Sequence, residues 1–389
     1  ELTYFNILRA STGLSAEIYK CILDTSNQVA LLQSSNMSLG VNLLLHLVQK
    51  TASTLDDINY DIDTSILIRS LLDDTLFYNN VDNPITTNGM RKIKEYSKNQ
   101  GMTGNIDLAC IAVGAASEYP QCFPDIDRQY EKKRIIDSSL NTFSDQLNIL
   151  ENKYFFPAGG TYIIPGKFSS LNDYVAQPSF EQLKSSVDSS NSCRSIFDLE
   201  GGNSIEKIGD KWIYTESKLN KFESKEIAIP KNRNLVYEYK YLPKINNNHL
   251  QKLFFNAKNN YLEKLKELNI GINWKVTFNL YEDLQLDDQV RINNRDQIVK
   301  TYTLSLNDDS EAEYELHCHL DRQLFFGALN RDCIWNIVLS GHIVIFERIP
   351  NIFIPTITFS LNFLVVDRKG SGDNLVIENL DKENINLKY

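Results

Sequence analysis

An α/β first half followed by an α+β second half is what this 389-residue sequence predicts. Three observations carry that expectation. Apolar runs at 106–113 and 153–157 flank a segment, 127–150, whose Ile135, Ile136, Leu140, Phe143, Leu147 and Leu150 recur at helical spacing. Together they read as a strand–helix–strand unit of a parallel sheet. From Lys184 to Ser204 the composition turns to Ser, Asn, Asp and Gly, the mark of a loop or domain junction. Beyond it, one long helix is followed by several strands. The chain exceeds one ordinary core, so the expected division is 1–185, a connecting segment at 186–246, and 247–389 as an α+β accessory domain.

Taken in order, Leu2-Thr-Tyr-Phe-Asn-Ile-Leu8 is strand-like and Asn42–Lys50 helix-like. Glu1 is not an initiator Met, so the expectation is a chain that lacks its natural start or omits internal segments. Thr64–Arg69 and Thr75–Asn80, parted by Leu71-Leu-Asp-Asp74, read as a hairpin. Asp82, Asn83 and Pro84 break the second strand, and a helix from Thr87 to Gln100 stops at Gly101. In the second half the expectation is a helix at 248–268 and strands at 272–280, 297–305 and 312–320. A short helix at 322–329, an apolar segment at 334–346 and a strand at 352–366 complete it. No internal repeat is visible.

With 42% apolar, 23% charged and 11% aromatic residues, the composition is that of a folded protein. A net charge of −10, with Lys132-Lys-Arg134 the only dense basic run, argues against nucleic acid as a partner. The six cysteines form no Cys-x-x-Cys pair and read as reduced thiols of a cytoplasmic protein. No run is long enough to predict a membrane span. The expected partner is a small-molecule substrate, with a second copy of the chain as a further expectation from the apolar runs near the C-terminal end.

Several constellations are able to carry chemistry. Asp82 ends a strand, placed to bind a cation or orient a polar substrate; the alternative is an Asx-turn before Pro84. Ser117 and Tyr119 follow Gly114-Ala-Ala, whose backbone suits an anion nest or merely allows close packing. Tyr162 and Lys167 follow Gly159-Gly and are candidates for polar ligand contacts, although the phosphate-loop spacing is absent and a surface lysine is the plain alternative. Cys122 reads as a structural thiol, with a nucleophile as its rival. In His317-Cys-His-Leu-Asp321 both imidazoles share one face of a strand, but zinc needs a third ligand.

The ordered set Phe77-Tyr-Asn-Asn-Val-Asp82, Gly114-Ala-Ala-Ser-Glu-Tyr-Pro-Gln-Cys-Phe123, Lys153-Tyr-Phe-Phe-Pro-Ala-Gly-Gly-Thr-Tyr162, Gly166-Lys and Leu171-Asn resembles a branch of the metallo-β-lactamase superfamily. That branch includes CMP-N-acetylneuraminate hydroxylase and its bacterial relatives. Ile334-Trp-Asn-Ile337 and Phe346-Glu-Arg-Ile-Pro-Asn351 resemble its accessory region. The resemblance implies an αββα sandwich followed by a smaller α+β domain. It also implies a Zn- or Fe-dependent hydrolase or oxygenase-like enzyme acting on a sugar nucleotide or acylated glycan. Asp82 would hold metal, and Ser117, Tyr119, Tyr162 and Lys167 would bind substrate. The family's His-x-His-x-Asp-His motif is missing from residues 1–80. A metal-free pseudoenzyme serving as a binding or assembly module is therefore the alternative.

Overall fold

The strand–helix–strand unit is present in the computed structural model. The structure describes residues 65–70, 73–81, 86–99, 102, 104–114, 117–159, 162–188, 194–199, 203–209, 211–216, 224–271, 273–305 and 312–366, with two short strands nearer the N-terminal end. The helix-like 42–50 stretch and Asp82 lie outside them. Contacts divide the chain into two units. One joins Glu1–Ala112, Phe143–Ala158 and Asn191–Asp198; the other joins Val113–Thr142, Gly159–Ser190 and Leu199–Tyr389.

In the first unit β1 (Ile7–Arg9) and β2 (Leu31–Gln33) pair in parallel. The expected hairpin is there as β3 (Ile66–Arg69) and β4 (Leu76–Asn79), antiparallel. Helix α1 (Thr87–Asn99) leads to β5 (Leu108–Ala112), and α2 (Arg128–Leu150) leads to β6 (Tyr154–Ala158). Strands β4, β5, β6 and the short β7 (Ser195–Ile196) run parallel in sequential order. Four of the five β5 residues are buried, because a central parallel strand is covered on both faces. Phe143 on α2 meets Phe155 on β6 edge to face at 5.5 Å. Asp107 stitches the edge of β5 to β4 by accepting from Leu76 N at 2.7 Å. Asn80 accepts from Ala112 N at 2.7 Å. Helix α3 (Phe180–Asp188) runs into the Ser/Asn-rich junction, which contributes β7 to this sheet.

The second unit carries the hairpin β8 (Ser204–Ile208) and β9 (Lys211–Thr215), then α4 (Lys225–Asn232) and the long α5 (Asn247–Glu267). Asn246 caps α5 by accepting from His249 N. Strands β10 (Trp274–Tyr281), β11 (Lys300–Leu304), β12 (Tyr314–Asp321) and β13 (Ile345–Ile349) form a mixed sheet in the order β11-β10-β12-β13. The pair β10·β12 is parallel and both outer pairings are antiparallel. Helices α6 (Arg322–Leu329), α7 (Trp335–Ser340) and α8 (Pro355–Ser360) complete the unit. The expected strand at 352–366 is instead α8 and a 3₁₀ turn at Leu361–Phe363. Its β-branched residues look like a strand, but Pro355 starts a helix well, and Trp335 Nε1 takes the Leu364 carbonyl at 2.7 Å. One face of the mixed sheet is apolar: Phe278 lies 4.9 Å from Phe325 and 5.7 Å from Trp335, and Tyr302 lies 4.6 Å from Phe254.

Candidate functional site

The other face of the mixed sheet is polar, and register says why. Alternate residues share a face, and in-register partners face the same way. Thr277, His317 and Glu347 therefore form one cross-strand row, with Asn279 and His319 in the next. Tyr281 and Asp321 end the two parallel strands side by side. The expectation that His317 and His319 share a face is met, and three groups join them that the linear sequence did not pair.

Tyr281, His319 and Glu347 form a connected set. The Tyr281 hydroxyl lies 3.0 Å from His319 Nδ1, and His319 Nε2 lies 3.6 Å from Glu347 Oε1. Arg295, in the loop after β10, binds Glu347 in turn. The His319 imidazole and the Arg295 guanidinium hold the Glu347 carboxyl down at about 2, against the cost of burial. Burial pushes the Tyr281 phenol up to about 12. A carboxylate facing Nε2 favours the proton there, leaving Nδ1 to accept from the phenol. Tyr281 is fully buried and His319 nearly so, hence the accessible end is Arg295. It opens into a basin of about 660 Å³, lined by Asp125, Ile126, Asp287, Arg291, Ile292 and Arg295. Asp287 shapes that loop by accepting from the backbone of Gln289 and Arg291.

Lys167 lies elsewhere in the unit, at the carboxyl ends of β10 and β12. Its Nζ is 2.7 Å from Asp283 and 2.8 Å from Asp321, and Lys240 Nζ is 2.8 Å from each. Asp321 is 1% exposed and also accepts from Tyr239 OH and Leu284 N. Oδ2 of this buried carboxylate takes both lysines and the Tyr239 hydroxyl, and Oδ1 takes the Leu284 amide, so neither oxygen is left unpaired on desolvation. Lys167 thus stands in an ion network.

Ser117 and Tyr162 are brought together. The Ser117 carbonyl accepts from Gln121 Nε2 and, at 3.0 Å, from His342 Nε2; Tyr162 OH lies 3.4 Å from it. Tyr162 stacks on His342 at 4.6 Å. Burial lowers the His342 pKa and raises that of Tyr162. Tyr119 sits under the Arg348 guanidinium instead. Cys122 is fully buried, which pushes its thiol well up and fits the structural reading.

No family model matches the sequence, and no solved structure matches it. The matches found are to curated proteins named 4-hydroxy-tetrahydrodipicolinate reductase. The one from Rhodopseudomonas palustris is 51% identical over 53 residues, 14% of this chain and 19% of that protein. The one from Caldanaerobacter subterraneus is 38% identical over 56 residues, 14% and 22% of the two chains. One from Clostridium perfringens is 40% identical over 57 residues, 15% and 22%. This chain spans about a fifth of the length of these relatives.

These findings correct the metallo-β-lactamase expectation. The relatives carry the name of a reductase, not of a metal-dependent hydrolase or oxygenase. Among the described residues no three His, Cys, Asp or Glu side chains are grouped to hold a metal ion. His317 pairs with Glu315 and His319 with Tyr281, so the His317–Asp321 motif is spent on side-chain pairs. The sugar-nucleotide or glycan substrate, the Zn or Fe cofactor and the pseudoenzyme alternative all rested on that scaffold and go with it. Loops rich in Gly, Ala and Pro recur wherever strands end in tight turns, which is why the ordered set misled. No described helix is long and apolar enough to cross a membrane.

Proposed function

We propose that the second unit recognises a small molecule carrying carboxylates and a cationic nitrogen, held in the basin by Arg291 and Arg295 with Asp125 opposite. One observation carries this reading: Arg295 is held from behind by Glu347, itself flanked by His319 and the buried Tyr281 hydroxyl. A guanidinium so oriented loses little freedom on binding a carboxylate. The mixed charges of the basin suit a zwitterion better than a simple anion. The short matches to reductases named for a ring dicarboxylate support the same substrate class.

A reductase needs a hydride donor, and the residues described do not fit a nicotinamide dinucleotide. The sequence has no Gly-x-Gly-x-x-Gly, and after Gly114 the next helix starts only at Arg128. β5 therefore does not turn directly into a helix N-terminus to cradle a pyrophosphate, and where β12 runs straight into α6 the junction residue is Asp321, a carboxylate. The proposal is recognition of the small molecule by this chain's own side chains. A cytoplasmic setting belongs to it, supported by the free Cys110, Cys122, Cys318 and Cys333.

Calorimetric titration with dipicolinate and with its fully reduced, ring-ammonium analogue tests this. Saturable binding is expected, tighter for the ammonium form and weakened about tenfold or more by Arg291→Gln with Arg295→Gln. Equal affinity of the double variant, or no binding of either compound, sinks the reading.

A further inference from the structure

One buried cation of the second unit belongs neither to the ion network of Asp321 nor to the lining of the basin. Arg128 opens α2 just after Asp127, which caps that helix by accepting from Tyr130 N at 3.0 Å. Arg128 is 7% exposed, and burial pushes its pKa down. Its hydrogen bonds among the described residues go to carbonyls, not to a carboxylate. Nη2 donates to the Gln289 carbonyl at 2.8 Å, and Nη1 donates to that of Val290 at 3.0 Å and reaches that of Gln121 at 3.4 Å. The Tyr174 ring covers the guanidinium at 4.0 Å. A planar fork suits two consecutive carbonyls, where a lysine would bring a single nitrogen.

These bonds tie the two walls of the basin together. Asp125 and Ile126 stand on one wall, between Gln121 and Arg128, and Asp287, Arg291 and Ile292 stand on the other. The second wall holds local strain. Val290 is β-branched yet has φ of 57°, a left-handed conformation its side chain disfavours. Such a backbone persists only where its surroundings over-determine it. Here the Val290 side chain is buried, its N–H donates to the Asp287 carbonyl at 2.9 Å, and its own carbonyl takes Arg128. The Asp287 carboxylate holds the amides on either side, those of Gln289 and Arg291. Arg291 therefore leaves a turn whose backbone is already set.

We propose that Arg128 is the positioning residue of the basin. By pinning Gln289 and Val290 to the 121–128 segment it fixes the separation of Asp125 from Arg291, and with it the nitrogen-to-carboxylate spacing a ligand must have. This rests on the reading of the basin as a zwitterion site. Loose walls would adapt to many charge spacings, whereas pinned walls leave the wrong spacing with an unpaired charge. Walls set before the ligand arrives also need no ordering on binding. Selectivity then depends on a side chain that lines no part of the basin.

Calorimetric titration of the full chain with cis-piperidine-2,6-dicarboxylate and its cis-3,5 isomer tests this. The two carry the same charges at different distances from the ring nitrogen. The unaltered protein is expected to favour one isomer about tenfold or more, and Arg128→Met to bring the two affinities within about threefold. A purely structural role would weaken both isomers alike and keep their ratio. Should Arg128→Met unfold, as circular dichroism would show, Arg128→Lys is read by the same ratio. An unchanged ratio in the folded variant overturns the positioning role alone, as does equal affinity of the unaltered protein for the two isomers. No binding of either isomer to the unaltered protein sinks the zwitterion reading, and this proposal with it.

Discussion

The two sheets of this protein spend their residues differently. In the parallel sheet, β5 is buried almost throughout, and its flanking polar side chains, Asp107 and Asn80, are turned onto backbone amides. In the mixed sheet one face is largely apolar, while the other carries Asn279, Tyr281, His317, His319, Asp321 and Glu347. A strand covered on both faces has no side on which to display chemistry. The polar face of the mixed sheet is covered as well, with Tyr281, His319 and Asp321 buried, and it reaches solvent through Arg295 at its edge. That difference places the candidate site on the mixed sheet.

The largest expected effect breaks the comparison from the apolar side. Phe155→Ala, removing a fully buried ring from against Phe143, should cost about 4 kcal/mol in urea denaturation. A loss near 1 kcal/mol would mean that the parallel sheet is not a rigid apolar scaffold. Next is Asp321→Ala, which strands Lys167, Lys240 and the Tyr239 hydroxyl and should cost about 3 kcal/mol by the same measurement. If Asp321→Ala is neutral, the polar face is not held together by this carboxylate.

Acid sharpens the contrast further. The Glu347 carboxyl is held at about 2, below its unfolded value, so its contribution is complete above about pH 4.5 and is lost as pH falls toward 2. Roughly 2 kcal/mol should disappear over that window, after discounting for the half-open setting, and Glu347→Gln should abolish that part of the profile. His342 acts in the same direction at higher pH. Burial depresses its pKa, so the stability it supports is present above its ordinary value and falls as the pH drops below it. The smallest effect is at the solvent edge: Thr301→Val, at the exposed position of the edge strand β11, should shift stability by no more than about 0.5 kcal/mol. A larger shift would show that the open part of the polar face is also structural.

Much of the fold was legible residue by residue. The hairpin at 66–79, the helix at 128–150, the long helix at 247–267 and the short one at 322–329 all follow their apolar periods closely. The segment 355–363 did not, because alternating Thr, Ile and Phe look alike in a strand and in a helix packed under Trp335. Of the candidate side chains, His317 and His319 were visible because two residues apart on a strand means one face. Tyr281, Arg295 and Glu347 were not, since nothing local links them to His319. Lys167 looked like a free cation because Asp283 and Asp321 lie more than a hundred residues away in sequence.

Local spacing and composition determined on their own that this is an α/β chain with alternating strands and helices. Strand order and register were decided only in three dimensions. A one-residue slip of β12 against β10 would have sent His319 and Asp321 to the other face, and no short-range pattern encodes that pairing. Function depends on which side chains meet, and meeting is a property of the packed sheet.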